Sequence, residues 1–455
     1  MRPRPPNPFP TLWDEGMRHL GPLILYSAFT GALTGLLVAL LNLALRALGQ
    51  LVGLFFGYLP PEAPGEGGLL QAFTGPSPWP LAFLLPLLFA LTSLLGTGKG
   101  LAALLLLSRE GREAPRLAHP RAVLGGVLEL ALYSPLGREG PFGVLGLWLG
   151  SALDRRFPRV GGGLAFAGLA AGLGAAFHAP VAGALLATEI LYRSLLLEAR
   201  ALTPALIGAL SGFALYGAFF GYTPLLPFRV EVGLEALPGG LLTGLLAALL
   251  SASFTEGSRL LQRRLKPLAF PLRHGLLGLA LGLGLLFLPE ALGTGLGWVA
   301  VATTPLLSSP ALLHLLLAKL LLLLLAQGTR AYGGPYTPAL VLGGLLGALL
   351  ARLSGPLALP PEALALAGGS AVLAGVARAP FAATVLAAEW GGYATLPLVL
   401  PAVLLAYVLS PSHPWEEGLK EAPATPEENP SETPPRREPS PPGQGGDAGP
   451  GSPRG

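Results

Sequence analysis

The sequence predicts an all-α protein that crosses a lipid bilayer several times, and its composition and patterning support this fold class. Hydrophobic residues make up 52% of the 455 residues and charged residues only 12%. Charge-free ranges, each longer than the roughly 20 residues that a helix needs to cross a bilayer, are 67–98, 201–228 and 291–318. Helical runs recur between Gly and Pro residues, whereas β-branched strand patterns are absent. A soluble core would not explain so many apolar runs, so we expect an integral membrane protein.

The two ends of the chain differ from its apolar centre. Residues 1–20 are rich in proline and lack the short apolar stretch and cleavage site of a signal peptide, so we interpret them as a cytoplasmic segment. The apolar chain begins near Gly21. Residues 411–455 contain many prolines and charged residues but almost no aliphatic residues after Leu419, which predicts a disordered tail.

Charge and composition exclude several classes of function. Basic residues form short clusters at 109–121, 155–159 and 263–266, which is typical of loops that flank a membrane and not of a nucleic-acid surface. The absence of cysteine excludes disulfides, iron–sulfur clusters and thiol catalysis. The histidines form no metal-binding motif, and the phosphate-binding glycine-rich motif is absent. We therefore expect no metal, no cofactor and no nucleic-acid partner.

Two segments of the chain resemble each other at a constant spacing of 200 residues. APVAGALLATEI at 179–190 matches APFAATVLAAEW at 379–390 in half of its positions. The matches include a proline and a glutamate in each segment, namely Pro180 and Glu189 in the first and Pro380 and Glu389 in the second. This shared register favours duplication over a chance resemblance of Ala-rich helices. The membrane part then divides into two halves, residues 21–228 and 229–410.

Glycine and proline interrupt several apolar segments. The interruptions are GTGKG at 96–100, GREGP at 137–141 and GGPYTP at 333–338. Irregular backbone is not stable against lipid, so these breaks must be buried in protein or line a wet cavity. Proline is favoured in the first turn of a helix, so we expect helices to begin within the membrane at the last two breaks. Duplicated halves with interrupted helices at matching places are typical of a transporter whose site lies between the repeats.

Helices that begin at these breaks would expose backbone N–H groups and the positive ends of their dipoles, which attract anions. The breaks therefore predict an anion path. Glu139 is the exceptional residue in it, because its carboxylate would compete with the anion for the same donors. Protonation would let this side chain swing away and open the path. Alternatively, Arg138 and Glu139 pair with each other in a loop.

The same residues resemble a known family. GREGP at 137–141, GLAAGLGAAFHAPVAGALLATEI at 168–190 and GGPYTPALVLGGLLG at 333–347 are similar to the CLC family of chloride channels and proton–chloride exchangers. The resemblance extends in order from about Gly96 to Glu389. It implies an α-helical homodimer with one pore in each subunit and two inverted halves, in agreement with the duplication. It also implies that Glu139 is the gating glutamate, which occupies an anion site and leaves it on protonation.

The resemblance implies a set of anion-binding residues, and this chain departs from the family pattern at several of them. The candidates are Thr97, Gly98, Arg138, Gly140, Tyr336 and Trp415. Thr97 stands where the family has serine, and the unexpected Lys99 either reaches an aqueous vestibule or attracts anions. Pro335 has no N–H, so one expected backbone donor before Tyr336 is missing. Trp415 stands where the family has tyrosine, and its indole N–H either replaces the hydroxyl or anchors the tail. We therefore expect weak anion binding at the central site.

Proton coupling depends on a further position. Many exchangers of the family have an inward-facing glutamate directly after the one that Glu189 matches, whereas this chain has Ile190, and the channels also carry an apolar residue there. We interpret Glu189 and Glu389 as structural residues that cap or bridge helix ends. His178 is interpreted as a helix-end hydrogen-bonding group, and Lys319 as a buried or vestibule-facing cation.

The function predicted from the sequence is transport of chloride across the membrane. Proton-coupled exchange gated by Glu139 is favoured by the lack of appended regulatory domains, and a channel or uncoupled path is the alternative. Fluoride is a further alternative, because the serine and tyrosine positions depart from the family pattern. An intramembrane enzyme would need a paired nucleophile and base; Ser134 and His178 are the nearest candidates and lie in no nucleophile motif, so we expect no enzyme.

We expect the protein to be a multi-pass integral protein of the inner membrane with both termini in the cytoplasm. Its expected partners are chloride, protons, the lipid bilayer and a second copy of the chain.

Overall fold

The structure is a computed structural model and describes residues 8–56, 58–66, 78–96, 101, 104, 118–158, 163–191, 195, 197–228, 230–353 and 360–413. Within these ranges the regular secondary structure is helical, apart from a β-bridge between Gly137 and Gly334. The predicted all-α fold class is therefore confirmed. Most of the predicted tail at 411–455 lies outside the described residues.

The regular elements of the described residues are mainly α-helices. In chain order they are α1 (Pro8–Phe56), α2 (Trp79–Thr92), α3 (Ala118–Ala131), α4 (Glu139–Arg156), α5 (Leu164–Phe177), α6 (Pro180–Glu189), α7 (Ala199–Phe220), α8 (Leu237–Leu265), α9 (Phe270–Phe287), α10 (Leu296–Thr303), α11 (Ser309–Thr329), α12 (Tyr336–Leu353), α13 (Pro361–Ala377), α14 (Pro380–Gly391) and α15 (Leu396–Leu409). Proline opens α6, α13 and α14, where its missing N–H leaves no helical hydrogen bond unmade.

Several helices are long and apolar enough to cross a bilayer. Among the described residues there are 6 such segments, which lie in α1, α7, α8, α9, α11 and α12. This confirms the predicted multi-pass membrane protein. Helix α1 begins at Pro8, ahead of the apolar run that starts near Gly21. The boundary predicted between the halves at residues 228 and 229 falls in the connection between α7 and α8 and stays a prediction.

Two short apolar helices, α5 and α13, form the centre of the molecule. Every residue of α5 is buried, and so is every residue of α13 from Ala363 onward. Helix α4 packs along α5, and α12 packs along α13. A Cβ atom on Gly146 would lie 2.0 Å from the Gly168 carbonyl oxygen, and one on Gly343 would lie 2.0 Å from that of Gly368. Glycine therefore permits the same close backbone approach in both halves.

The two halves repeat their turns as well as their helices. The described non-glycine residues with left-handed backbone are Tyr133 (φ 66°), His178 (φ 49°), Arg330 (φ 60°) and Arg378 (φ 57°). His178 ends α5 and Arg378 ends α13, while Tyr133 and Arg330 precede the breaks before α4 and α12. This conformation costs an L-residue roughly 1–2 kcal/mol. Its recurrence at matching places indicates that both halves require the same turns.

A reciprocal backbone contact relates the halves. The N–H of Gly137 donates to the carbonyl of Gly334, the N–H of Gly334 donates to the carbonyl of Gly137, and both hydrogen bonds measure 2.8 Å. The two backbone segments run antiparallel at this bridge. Because each residue offers its partner the same bond, the contact has local two-fold symmetry. This agrees with the duplication that the sequence predicts and with the inverted halves that the family resemblance implies.

Candidate anion site between the broken helices

The breaks before α4 and α12 meet at one place, and the carboxylate of Glu139 lies there. The paired backbones of Gly137 and Gly334 hold the two helix starts together. Glu139 is the first residue of α4 and has no exposed surface. Its Oε1 accepts hydrogen bonds from the N–H groups of Tyr336 and Thr337, both at 2.9 Å. Its Oε2 accepts a hydrogen bond from the Thr337 hydroxyl at 2.6 Å.

The first turn of α12 thus forms an anion cradle, which we define as the N–H groups of Tyr336 and Thr337 and the Thr337 hydroxyl. The two amides have no partner within their own helix, and the dipole of α12 adds positive potential. A carboxylate and a halide carry the same charge, so either can accept these three hydrogen bonds. In this structure the Glu139 carboxylate accepts all three.

Glycine at the breaks leaves the space that this carboxylate occupies. A Cβ atom on Gly334 would lie 2.5 Å from Oε1 of Glu139, and one on Gly137 would lie 1.9 Å from Oε2. Gly140 packs against the same backbone, because a Cβ atom there would lie 2.5 Å from the nitrogen of Gly334. The N–H of Gly140 points to the Gly137 carbonyl at 3.4 Å. Its predicted role as a direct anion ligand stays a prediction.

The structure adds Thr337 to the residues that the sequence singled out. Pro335 removes one N–H from the break, and Thr337, two positions later, supplies an amide and a hydroxyl. The signal in the sequence was a hydroxyl-bearing residue in the first turn of an interrupted helix. That pattern alone does not show which way the hydroxyl points, since the direction depends on how α12 is rotated towards Glu139.

Arg138 turns away from Glu139. Its guanidinium forms an ion pair with Glu66, on the turn after α1, and Nη2 donates to the Ala176 carbonyl at 3.1 Å. Among the described residues, Arg138 therefore forms its ion pair with Glu66. The alternative prediction, in which Arg138 pairs with Glu139, does not hold in this structure. A direct contact between Arg138 and a transported anion stays a prediction.

A cavity of about 210 Å³ lies beside the anion cradle. Its lining includes the basic residues Arg46 and Arg138, the acidic residues Glu62 and Glu66, and Thr337 of the cradle. Burial acts to raise the pKa of Glu66, but the neighbouring guanidinium groups of Arg138 and Arg46 outweigh it and lower that pKa below its ordinary value. Glu66 is thereby held as a carboxylate that balances part of the arginine charge.

Comparison with known proteins places the chain in a family. The family model described as voltage gated chloride channel matches residues 106–411. The chain belongs to this family. The voltage-gated ClC-type chloride channel ClcB of Salmonella typhimurium is 34% identical over 307 residues, which cover 63% of this chain and 71% of the relative. ClcB of Escherichia coli O81 is 32% identical over 308 residues, with the same 63% and 71% coverage.

Solved structures of CLC proteins share the fold of this chain. A slow cyanobacterial Cl⁻/H⁺ antiporter matches with a TM-score of 0.72 at 23% identity, covering 85% of this chain and 94% of that one. A CLC-type fluoride/proton antiporter matches with a TM-score of 0.72 at 24% identity, covering 86% of this chain and 95% of that one. At these identities the likeness establishes the CLC fold.

In this CLC protein each of the paired glutamates of the repeat caps the start of the helix that carries the other glutamate. Glu189, the last residue of α6, accepts hydrogen bonds of 3.0 and 2.6 Å from the N–H groups of Phe381 and Ala382 in the first turn of α14. Glu389, in the last turn of α14, accepts hydrogen bonds of 3.0 and 2.8 Å from the corresponding amides of α6. Each carboxylate thus satisfies two N–H groups that have no partner in their own helix.

His178 and Lys319 bind backbone carbonyls. Nδ1 of His178 lies 2.9 Å from the Thr223 carbonyl, and the residue ends α5. Nζ of Lys319 donates to the carbonyls of Leu292 at 3.1 Å and Gly293 at 2.6 Å. Both side chains therefore stabilise the ends of helices or turns around the site, as a buried polar group requires.

Three of the predicted anion ligands of this CLC protein, Thr97, Gly98 and Trp415, lie outside the described residues. Their roles stay predictions. Gly96, which begins the same break as Thr97, is described, and its carbonyl accepts a hydrogen bond from the Tyr332 hydroxyl. Gly96 is therefore hydrogen-bonded to the segment of chain that leads into α12.

Proposed function

We propose that this CLC protein exchanges chloride for protons across the membrane and that Glu139 is its gate. The observation that carries the proposal is the anion cradle, where a fully buried carboxylate accepts three hydrogen bonds from the first turn of α12. Chloride competes with this carboxylate for the cradle, and a proton competes with the cradle for the carboxylate. The two ions are therefore linked through one side chain.

Protonation changes the balance at the cradle. A neutral carboxyl group has lost the charge that the helix dipole and the amides of the cradle favour, so it binds the cradle less strongly. The Glu139 side chain then leaves, and chloride accepts the hydrogen bonds of Tyr336 and Thr337. Deprotonation reverses the exchange, since the returning carboxylate displaces the anion. One proton is thus bound each time that the cradle opens.

The cavity beside the cradle supplies an approach for the anion. Arg46 and Arg138 give this cavity positive charge, and Glu66 reduces that charge by its ion pair with Arg138. An anion path must bind strongly enough for the ion to enter and weakly enough for it to leave. Thr337 belongs to both the cavity wall and the cradle. An anion in the cavity is therefore next to the donors that Glu139 occupies.

Uncoupled chloride transport is the alternative, because the apolar Ile190 stands directly after Glu189 at the end of α6. We further propose that the protein acts as a homodimer in the inner membrane, has both termini in the cytoplasm and catalyses no chemical reaction. The apolar side chains exposed on its outer helices, such as Leu210 and Phe219 of α7, fit contact with lipid or with a second subunit.

The proposal is tested with purified protein in liposomes loaded with chloride. Chloride efflux and external pH are recorded together after valinomycin is added, for wild type, Glu139→Gln and the control Glu235→Gln, whose side chain is exposed. We expect chloride release with proton uptake from wild type and control, and chloride release without proton movement from Glu139→Gln. Chloride release with no pH change in wild type would support uncoupled transport. Release of fluoride from liposomes loaded with fluoride, without release of chloride from those loaded with chloride, would contradict the chloride assignment.

A further inference from the structure

A buried carboxylate outside the anion cradle lies in the last turn of α3. The buried carboxylates of the described residues are Glu129, Glu139 and Glu189. Glu139 fills the cradle, and both oxygens of Glu189 accept hydrogen bonds from the start of α14. Glu129 does neither. An ionisable residue buried within a membrane protein is costly to keep, which points to a function.

Glu129 contacts residues from three other parts of the fold. Its Oε1 lies 2.7 Å from the Thr92 hydroxyl at the end of α2, and its Oε2 accepts a 2.8 Å hydrogen bond from the N–H of Tyr332. Nε2 of His274, in the second turn of α9, lies 3.4 Å from Oε1. His274 has no exposed surface, and neither of its ring nitrogens has a hydrogen-bond partner among the described residues.

The Thr92 hydroxyl shows how this site accommodates a proton. Its oxygen lies 2.7 Å from Oε1 of Glu129 and 2.8 Å from the Phe89 carbonyl, but a hydroxyl has one hydrogen. When Glu129 is charged, Thr92 donates to the carboxylate. When Glu129 is protonated, its O–H donates to the Thr92 oxygen and Thr92 donates to Phe89. Both protonation states of Glu129 therefore fit the same atomic positions.

His274 supplies a second proton-binding atom. A proton that binds neutral His274 forms an imidazolium beside the Glu129 carboxylate. Transfer of this proton to Oε1 breaks the N–H bond, forms an O–H bond and leaves both groups neutral, without another reactant.

The other charged or titratable side chains near Glu129 and His274 contact other groups. On α9, Nε of Arg273 donates to the Leu268 carbonyl at 2.8 Å. The Tyr332 hydroxyl donates to Gly96, and the Arg121 guanidinium of α3 lies beside Gly96. Within the described residues, the ion pair of Glu129 is with His274. The imidazole is thus the group that can balance or relieve the carboxylate charge.

The pair lies between one surface of the membrane and the anion cradle. The end of α8 and the connection to α9 carry Arg263, Arg264 and Lys266, and His274 follows in the second turn of α9. Basic residues concentrate on the cytoplasmic side, which places His274 near the cytoplasm. On its other side, Glu129 holds Tyr332, which leads directly into the bridge at Gly334.

We propose that Glu129 and His274 together form an inner proton-binding site, which holds the exchanged proton on the cytoplasmic side of Glu139. The site rests on the proposed exchange function. It supplies a titratable carboxylate that the apolar Ile190 does not.

The test compares Glu129→Gln and His274→Phe with wild type in the chloride and pH assay described above. The surface pair of Glu256 and His413, whose Oε1 and Nε2 lie 2.8 Å apart, provides the matched controls Glu256→Gln and His413→Phe. We expect the ratio of proton flux to chloride flux to fall about a hundredfold in both variants, as for loss of a positioned proton-transfer group, and to stay unchanged in both controls.

His274→Phe is the decisive variant, because His274 makes no described hydrogen bond that a purely structural role would lose. A wild-type ratio in His274→Phe, with or without a defect in Glu129→Gln, would overturn the inner proton site and leave Glu129 as an anchor for Tyr332. If His274→Phe does not fold, His274→Gln replaces it. Wild-type protein that releases chloride without proton uptake would contradict exchange itself, and the inner site with it.

Discussion

At the scale of single residues, the proposed function depends on the direction of a few polar side chains. Glu139 accepts three hydrogen bonds from two consecutive residues, Tyr336 and Thr337. Hydrogen bonds to charged groups contribute about 1.5–3 kcal/mol each, so under the proposed function we expect the loss of one donor to lower anion affinity measurably. The break around Glu139 singled out this residue from the sequence, and the family resemblance added Tyr336. Thr337 and the ion pair of Arg138 with Glu66 were not predicted, because both depend on side-chain direction.

Removal of the Thr337 hydroxyl tests its role as an anion donor. Valine has the shape of threonine without the oxygen, and the backbone amide is retained. In a Glu139→Gln background, where an uncharged side chain competes less for the cradle, Thr337→Val is expected to weaken chloride binding about tenfold, since one hydrogen bond to an anion is lost. Isothermal titration calorimetry measures the affinity.

The matched control for Thr337 is Thr384→Val. The hydroxyl of Thr384 donates within its own helix to the Pro380 carbonyl at 2.8 Å. We expect chloride affinity to be unchanged in this variant. Equal affinities for Thr337→Val and its parent would mean that the hydroxyl does not bind the anion.

For the helices, the ends carry the interactions that define this fold. The first turns of α4 and α12 meet at the cradle. Helices α6 and α14 cap each other, because the glutamate at the end of each accepts hydrogen bonds from the first turn of the other. Proline at the start of α6 and α14 sets the first turn and leaves the following amides to the glutamate of the other helix. The buried helix starts are thereby satisfied without water, as a membrane interior requires.

Loss of one of the two capping carboxylates, Glu189 or Glu389, is expected to destabilise the protein. Glu189→Ala and Glu389→Ala each leave two amides without a partner, so each should lower the free energy of unfolding by about 1–2 kcal/mol, in the range of a lost helix cap. Denaturation of the purified protein in detergent measures this quantity. The exposed control Glu231→Ala should change it by less than about 0.5 kcal/mol. An unchanged denaturation midpoint for Glu189→Ala would show that this helix capping does not stabilise the fold.

Across the protein as a unit, two similar halves share one buried centre and one site. The fully buried α5 and α13 are matched helices, and the left-handed residues His178 and Arg378 end them in the same way. The candidate site is assembled from both halves, because Glu139 comes from the first half and the cradle residue Tyr336 from the second. Neither half contains all the residues of the candidate site, as expected for a site that lies between two repeats.

A homodimer is expected for the purified protein. The CLC family that the chain belongs to and the apolar side chains exposed on α7 support this expectation. Light scattering coupled to size-exclusion chromatography, corrected for detergent, should give a protein mass of twice the 46.7 kDa of one chain. A mass equal to one chain would contradict the dimer.

The amino-acid sequence was sufficient for the membrane location, the helical class and the duplication. Apolar runs between Gly and Pro require helices, because a backbone in lipid must satisfy its own hydrogen bonds. The paired prolines and glutamates at one spacing indicate two related halves. Glu139 between glycines, in an almost uncharged region, pointed to the site. These inferences use composition, order and spacing, which a sequence contains directly.

Only the tertiary structure decided which groups meet. Thr337 donates to Glu139 across 198 residues of chain, Tyr332 donates to Glu129 across 203, and Val181 donates to Glu389 across 208. A hydrogen bond requires two atoms within about 3 Å in a suitable direction. That geometry is set by the rotation and crossing of packed helices, and the periodicity of a single helix does not contain it.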